Sequence, residues 1–142
     1  MSRKSSGILL YKKKDKKLEV FLVHPGGPFW LRKDLGVWSI PKGEFNDDYP
    51  EVAARREFFE ETGIKFSGDL MPLAPQKLKS GKVVYAFASE GEFEPYKLRS
   101  NKTEFGWPEV DRGEWFTSDV AVEKINPGQA GFIKELLDRF HL

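Results

Sequence analysis

Three glutamates, Glu57, Glu60 and Glu61, crowd into one short stretch of the chain. Placed on a helix at about 100° per residue, they share an arc of roughly 100° on one face. Acids this close repel one another by a few tenths of a kcal/mol per pair on an exposed helix. Two of them also fall in the last turn of the expected helix, where the backbone dipole disfavours negative charge. Such a concentration helps the helix only when something positive binds, and hard divalent cations suit carboxylate and carbonyl oxygens. The plainer alternative is a solvated acidic face with Arg55, Arg56 or Lys65 as ion-pair partners. Ala53 and Ala54, one turn earlier, leave the arc sterically open, whereas Val52 and Phe59 lie almost opposite and are expected to pack onto a sheet.

The elements that must position this arc are legible in outline. Pro50 to Thr62 is expected to be helical, with Pro50 in the first turn and Gly63 as the left-handed cap. Gly7 to Tyr11 and Leu18 to His24 read as a strand hairpin around the charged turn Lys12–Lys17, closed by the Pro25-Gly26-Gly27-Pro28 break. Val37 to Ile40 reads as a brief strand, Pro41-Lys42-Gly43 as a turn, Lys82 to Ala88 as a strand buried on at least one face, and Glu114 to Phe116 as the end of another. Asn126 and Pro127 open a final helix whose apolar residues Phe132, Ile133, Leu136, Leu137 and Phe140 form a core-facing stripe. Strands interspersed with two good helices, without linker or repeat, imply one α/β or α+β layered domain over residues 1–142.

Composition narrows the chemistry. With 142 residues, 39% hydrophobic and 32% charged, the chain is long enough for a core of its own. Twenty-three basic and 22 acidic side chains give a formal net charge of +1, so no global electrostatic footprint points to duplex nucleic acid or an anionic membrane. The chain has no cysteine and only two histidines, His24 and His141, which excludes disulfides and thiolate metal sites and leaves oxygen-ligated metals. The polar segment Met1–Ser6 lacks the apolar core of a secretory signal, and no run has membrane-spanning length; a cytoplasmic location is expected.

The nine residues Arg56-Glu57-Phe58-Phe59-Glu60-Glu61-Thr62-Gly63-Ile64 resemble the core of the Nudix box, R-E-U-x-E-E-x-G-U, at all its specified positions. At average residue usage a chance match in a chain this long is on the order of one in 10⁵. Upstream the pattern departs. The family has five residues between its glycine and a glutamate, but here only four separate Gly43 from Asp48, and aspartate replaces glutamate. The resemblance implies an α/β/α sandwich with a mixed β-sheet, the box helix and a C-terminal helix. It implies Glu57 and Glu61 as the main ligands of Mg²⁺ or Mn²⁺, Glu60 as a further ligand or the base, the backbone carbonyl of Lys42 as an additional ligand, and Arg56 as the group orienting a neighbouring carboxylate.

A base from outside the box would come from Glu90, Glu92 or Glu94, whose plain reading is exposed loop charge. The Lys42 ammonium group is a candidate phosphate contact. Phe29, Trp30 and Trp38 cluster about the Gly/Pro loop and could stack a nucleobase, packing being the alternative for each. His24 reads as a packing residue, Asp48 as a helix-entry residue, and the tryptophans of Trp107–Trp115 as structural. The implied activity is metal-dependent hydrolysis of a phosphoanhydride in a nucleoside diphosphate-linked substrate, foremost a dinucleoside polyphosphate such as diadenosine tetraphosphate. Sanitation of nucleoside triphosphates, ADP-ribose hydrolysis and a non-catalytic nucleotide-binding regulator are the alternatives. The expected partner is a small nucleotide, with no duplex nucleic acid or membrane, bound by a monomer or homodimer.

Overall fold

Alternating aliphatic residues build the sheet. In the computed structural model, which describes residues 3–142, strand β1 (Lys4–Lys14) turns Ile8 and Leu10 to one face and Leu9 to the other. A tight turn with Asp15 at φ 59° joins it to β2 (Lys17–Pro25), and the two pair antiparallel. The sheet is completed by β3 (Lys42–Phe45), β4 (Met71–Pro72), β5 (Gln76–Lys77), β6 (Val83–Glu90) and β7 (Val110–Thr117). Its main path runs β4-β6-β1-β2-β7, with β3 paired to β1 and β5 to β6. Among the strands of the described residues only β1 and β6 run parallel, so the sheet is mixed.

One edge of β1 is shared by two partners. Lys4 to Gly7 pair with β3, and Tyr11 to Lys14 pair with β2. Residues 38–41 fill the fork between them: Ser39 and Val23 exchange backbone hydrogen bonds at 2.8 and 3.0 Å, and Ile8 donates to the Pro41 carbonyl at 3.2 Å. The expected Val37–Ile40 strand is therefore reduced to isolated bridges. The expected Pro41–Gly43 turn instead leads straight into β3, because β1 offers Lys42 onward a free edge to pair with.

Two cores sandwich the sheet. Helices α2 (Ser118–Lys124) and α3 (Ala130–Arg139) cover one face over Leu9, Leu22, Val84, Phe132, Ile133 and Leu136. Helix α1 (Pro50–Thr62) covers the other over Ile8, Phe21, Val23 and Phe58. Asn126 caps the approach to α3 by accepting from the Gly128 amide at 2.9 Å, and Pro127–Gln129 form a single 3₁₀ turn before the helix proper. Leu137 and Phe140 of the expected stripe pack at the margin of the core. The seven-residue α2 was not foreseen; it is too short to display a periodic pattern of its own.

Helix α1 has the expected bounds, with Gly63 at φ 82° as its left-handed cap, but the opposite orientation. Val52 and Phe59 are 54% and 43% exposed, while Ala53, Ala54 and Phe58 face the sheet. The two alanines let the helix backbone approach closely, and Phe58 packs between Phe66 and Phe93. Trp38 needs a second correction. Its indole is 1% exposed, sits edge-on to Phe116, and donates its Nε1 hydrogen to Asp34 at 2.9 Å. No ring face remains for a nucleobase, so Trp38 is a core residue and the stacking role expected for it falls.

Candidate active site

The orientation of α1 turns its glutamates inward. Glu57 is only 8% exposed, and its carboxylate lies flat against Gly43 of β3. A Cβ on Gly43 would stand 2.2 Å from Glu57 Oε2, so any other residue there would push this carboxylate aside. One turn on, Glu61 Oε1 accepts from the Lys42 amide at 3.1 Å. Strand β3 is itself held tightly, since a Cβ on Gly7 of β1 would meet the Pro41 carbonyl at 2.3 Å. Gly43→Ala is expected to remain folded at a cost of about 1–3 kcal/mol, the usual range for overpacking. It should lower divalent-metal affinity more than Gly81→Ala, which meets nothing within 4 Å but strains a φ of +92°. Equal metal affinity of the two variants by calorimetry would refute a role for the Gly43 seat.

The carboxylates lack compensating charge. Burial, then neighbouring Glu60, push Glu57 up to about 7 despite the opposing pull of Arg56. Burial pushes Glu61 up to about 8, against the Lys42 amide and ammonium group and with Glu109 and Glu57 adding to the rise. Glu109 is also raised, by burial and then by Glu60. Four carboxylates thus act on one another, and three are partly desolvated, a pattern that marks functional sites more often than structural ones. The donors are all oxygen and their excess charge is negative, which fits a hard divalent cation. Among the described residues no three acidic or histidine side chains already form a closed metal-binding set.

Glu109 lies far from the helix in sequence, and two backbone bonds bring it in. The Asn101 amide donates to the Glu60 carbonyl at 2.8 Å, and the Glu109 amide donates to the Asn101 carbonyl at 2.8 Å. Arg99 likewise satisfies the Thr62 carbonyl at 2.8 Å, so this segment caps the last turn of α1 as it delivers Glu109. None of the expected loop carboxylates does this. Glu92 pairs with Lys12 at 3.6 Å, Glu94 lies beside Tyr96 and Lys97, and Glu90 faces Tyr11 at the far end of β1. The sequence signal for Glu109 is slight: a carboxylate between proline and a strand, beside an aromatic residue.

Arg56, expected to orient a neighbouring carboxylate, lies between two of them. Its guanidinium pairs with Asp48 on one side and stands 3.8 Å from Glu57 Oε1 on the other. Asp48 therefore meets Arg56 and not the glutamates. Lys42 meets the cluster through its backbone. Its Cβ shares the sheet face of Gly7 and Ala86; burial and Lys82 lower the pKa of its ammonium group, opposed by the charges of Glu61, Glu44 and Glu57.

Glu61 and Glu109 line an open cleft of about 640 Å³. Trp30, Phe105 and Trp107 also line it, the last two stacked on each other with centroids 5.2 Å apart. Trp107 packs on Gly27, whose φ of +95° and missing Cβ admit the indole. The tryptophans of the Trp107–Trp115 segment thus divide. Trp115 is structural, donating to the Phe93 carbonyl at 2.7 Å, whereas Trp107 lines the cleft. Phe29 is exposed beside Trp30, with Lys33 over its ring at 3.7 Å.

Comparison with known proteins agrees with this fold. The family model of the NUDIX domain matches residues 1–136. The NUDIX domain of Shewanella oneidensis NrtR, solved with ADP ribose, superposes with a TM-score of 0.70 at 17% identity, over 98% of this chain and 88% of that one. A Caenorhabditis elegans Ap4A hydrolase in a binary complex gives 0.71 at 18%, over 96% and 98%. A MutT/nudix family protein from Listeria innocua gives 0.66 at 17%, over 98% and 94%. At these identities the likeness speaks for the fold. A search of curated proteins found no match.

Proposed function

This chain belongs to the NUDIX domain family, and on that premise we propose that it is a pyrophosphohydrolase acting on a nucleoside diphosphate-linked substrate with Mg²⁺ or Mn²⁺. The observation that carries the reading is the union, in one cleft, of the carboxylates Glu61 and Glu109 with the aromatic side chains Trp30, Phe105 and Trp107. A nucleobase has two flat apolar faces and a polyphosphate has many anionic oxygens, and this cleft offers partners for the first and a cation site for the second. Glu57, Glu60 and Glu61 would hold the metal with the Lys42 carbonyl. The bound ion would neutralise phosphate charge and acidify water.

The chain's own groups do the rest. Arg56 keeps the Glu57 carboxylate in place. Glu109, less acidic than an ordinary carboxylate because of its burial, accepts a proton from the attacking water, a role we give it ahead of Glu60. The aromatic side chains hold the nucleoside so that one phosphorus lies beside the carboxylates. A dinucleoside polyphosphate such as diadenosine tetraphosphate is the first substrate to test, in keeping with the Ap4A hydrolase among the structural neighbours. The NrtR domain bound to ADP ribose makes ADP-ribose the second, with hydrolysis or regulatory binding as its two modes.

A Mg²⁺/Mn²⁺ screen over dinucleoside polyphosphates, ADP-ribose and nucleoside triphosphates, with products identified, tests the proposal. Release of a mononucleotide from diadenosine tetraphosphate is expected. Tight nucleotide binding without turnover across the panel would make the protein a regulator instead.

Proton linkage supplies a test that needs no substrate. Glu57 and Glu61, at about 7 and about 8, keep protons in the fold that the unfolded chain releases near the ordinary carboxylate value. The native state then binds more protons than the unfolded state, so metal-free stability falls as pH rises from about 4.5 to 8. A divalent ion must displace those protons. Its stabilisation is expected to be small at pH 5 and to grow through pH 8, as read by thermal denaturation with and without Mg²⁺. An equal shift at both pH values would contradict it.

A further inference from the structure

His24, the last residue but one of β2, is fully buried and takes no part in the chemistry above. Both its ring nitrogens face oxygen. Nε2 lies 2.6 Å from the Lys33 carbonyl, and because a carbonyl only accepts, Nε2 carries the hydrogen. Nδ1 lies 3.0 and 3.2 Å from the two carboxylate oxygens of Asp111, two residues beyond Glu109 on β7. The Trp38 ring closes the pocket edge-on at 5.1 Å. The register between β2 and β7 shifts just here, between His24 and Pro25, which turns the chain out of the sheet and into the loop that carries Trp30.

That loop is tied at its two ends, by the Gly26 amide donating to the Glu109 carbonyl at 2.9 Å and by Asp34 meeting Trp38 and Lys124. Within residues 27–33 the backbone bonds are local, Trp30 to Gly27 at 3.3 Å and Lys33 to Trp30 at 2.9 Å. Among the described residues, the His24–Lys33 bond is the one hydrogen bond that joins this stretch to the sheet. We propose that His24 is a positioning residue: by bridging Asp111 to the Lys33 carbonyl it holds the Trp30 wall at a set distance from the strand that delivers Glu109, and so determines how tightly the cleft grips its nucleoside. The proposal rests on the reading of this cleft as a nucleotide site.

Two substitutions separate the two bonds. In His24→Asn the amide can occupy the place of Nδ1 and keep Asp111, but cannot reach Lys33. In His24→Gln the longer amide can occupy the place of Nε2 and keep Lys33. With diadenosine tetraphosphate and Mg²⁺, His24→Asn is expected to raise KM about tenfold, the scale of one lost buried hydrogen bond, with kcat nearly unchanged. His24→Gln should keep KM near that of the unaltered protein even where its Tm falls as far. Equal KM for the two variants, whether both raised or both unchanged, would overturn the proposal.

Amide hydrogen exchange of residues 28–33 provides a readout independent of substrate. It should quicken in His24→Asn and not in His24→Gln, while exchange in β1 and β6 stays the same in both. Uniform loosening throughout the chain, or no change in the loop, would count against a positioning role. Absence of turnover in the unaltered protein would defeat the hydrolase reading and leave the exchange experiment to decide the role of His24.

Discussion

Glu61→Gln and Glu57→Gln are each expected to lower kcat with Mg²⁺ by on the order of 10³-fold, since a metal site supplies several kcal/mol of charge stabilisation and each 1.36 kcal/mol is tenfold in rate. The same substitutions are expected to raise the Tm of the metal-free protein. Each removes a carboxylate that burial has pushed up to about 7 or about 8 and that finds too little positive charge nearby. Each puts in its place a neutral amide that still accepts from the Lys42 amide or lies over Gly43. A gain of 1 kcal/mol would read as roughly 4 °C in a domain of this size. Loss of activity with gain of stability is the signature of a site held under strain for function, and a thermal scan beside a rate measurement detects both. A variant that loses activity and stability together would instead mark that glutamate as structural.

The second large effect is expected at Glu109. Glu109→Gln should lower kcat by about 10²–10⁴-fold, the usual contribution of a general base, with KM little changed. Raised Mg²⁺ should not restore the rate. Recovery at high Mg²⁺ would instead identify Glu109 as a metal ligand, because weakened binding is overcome by concentration and a missing proton acceptor is not. Activity within twofold of the unaltered protein would remove Glu109 from the site altogether. Glu92→Gln is the control: this carboxylate pairs with Lys12 and should matter little to catalysis.

What could be read along the chain was what depends on neighbours in sequence. The bounds of α1, its glycine cap, the Asn126–Pro127 entry to the last helix and the β1–β2 hairpin all follow from local backbone preferences and short-range periodicity. The spacing of Glu57, Glu60 and Glu61 on one helical face is local too, as is the contact of Arg56 with Glu57. Periodicity could show that the three acids lie together, but not which way the helix would turn. Two alanines beside the acidic arc admit a close approach to the sheet, and once Phe58 is seated in the core the glutamates must face inward with it. Val52 and Phe59, the more apolar-looking side, are left outside.

The sequence by itself therefore determined the chemistry of this protein: oxygen ligands only, three glutamates on one helical face, and a box pattern that names the family. Tertiary structure alone decided the environment that makes those acids useful. It buried Glu57 on Gly43, tied Glu61 to the Lys42 amide, and took Trp38 into the core while leaving Trp30 and Trp107 on the cleft. It also recruited Glu109 through the Asn101 backbone, across 48 positions from Glu61. The physical reason is one of range. Helix spacing and capping act over a few residues, whereas desolvation and the repulsion among carboxylates depend on which distant segments the fold brings together.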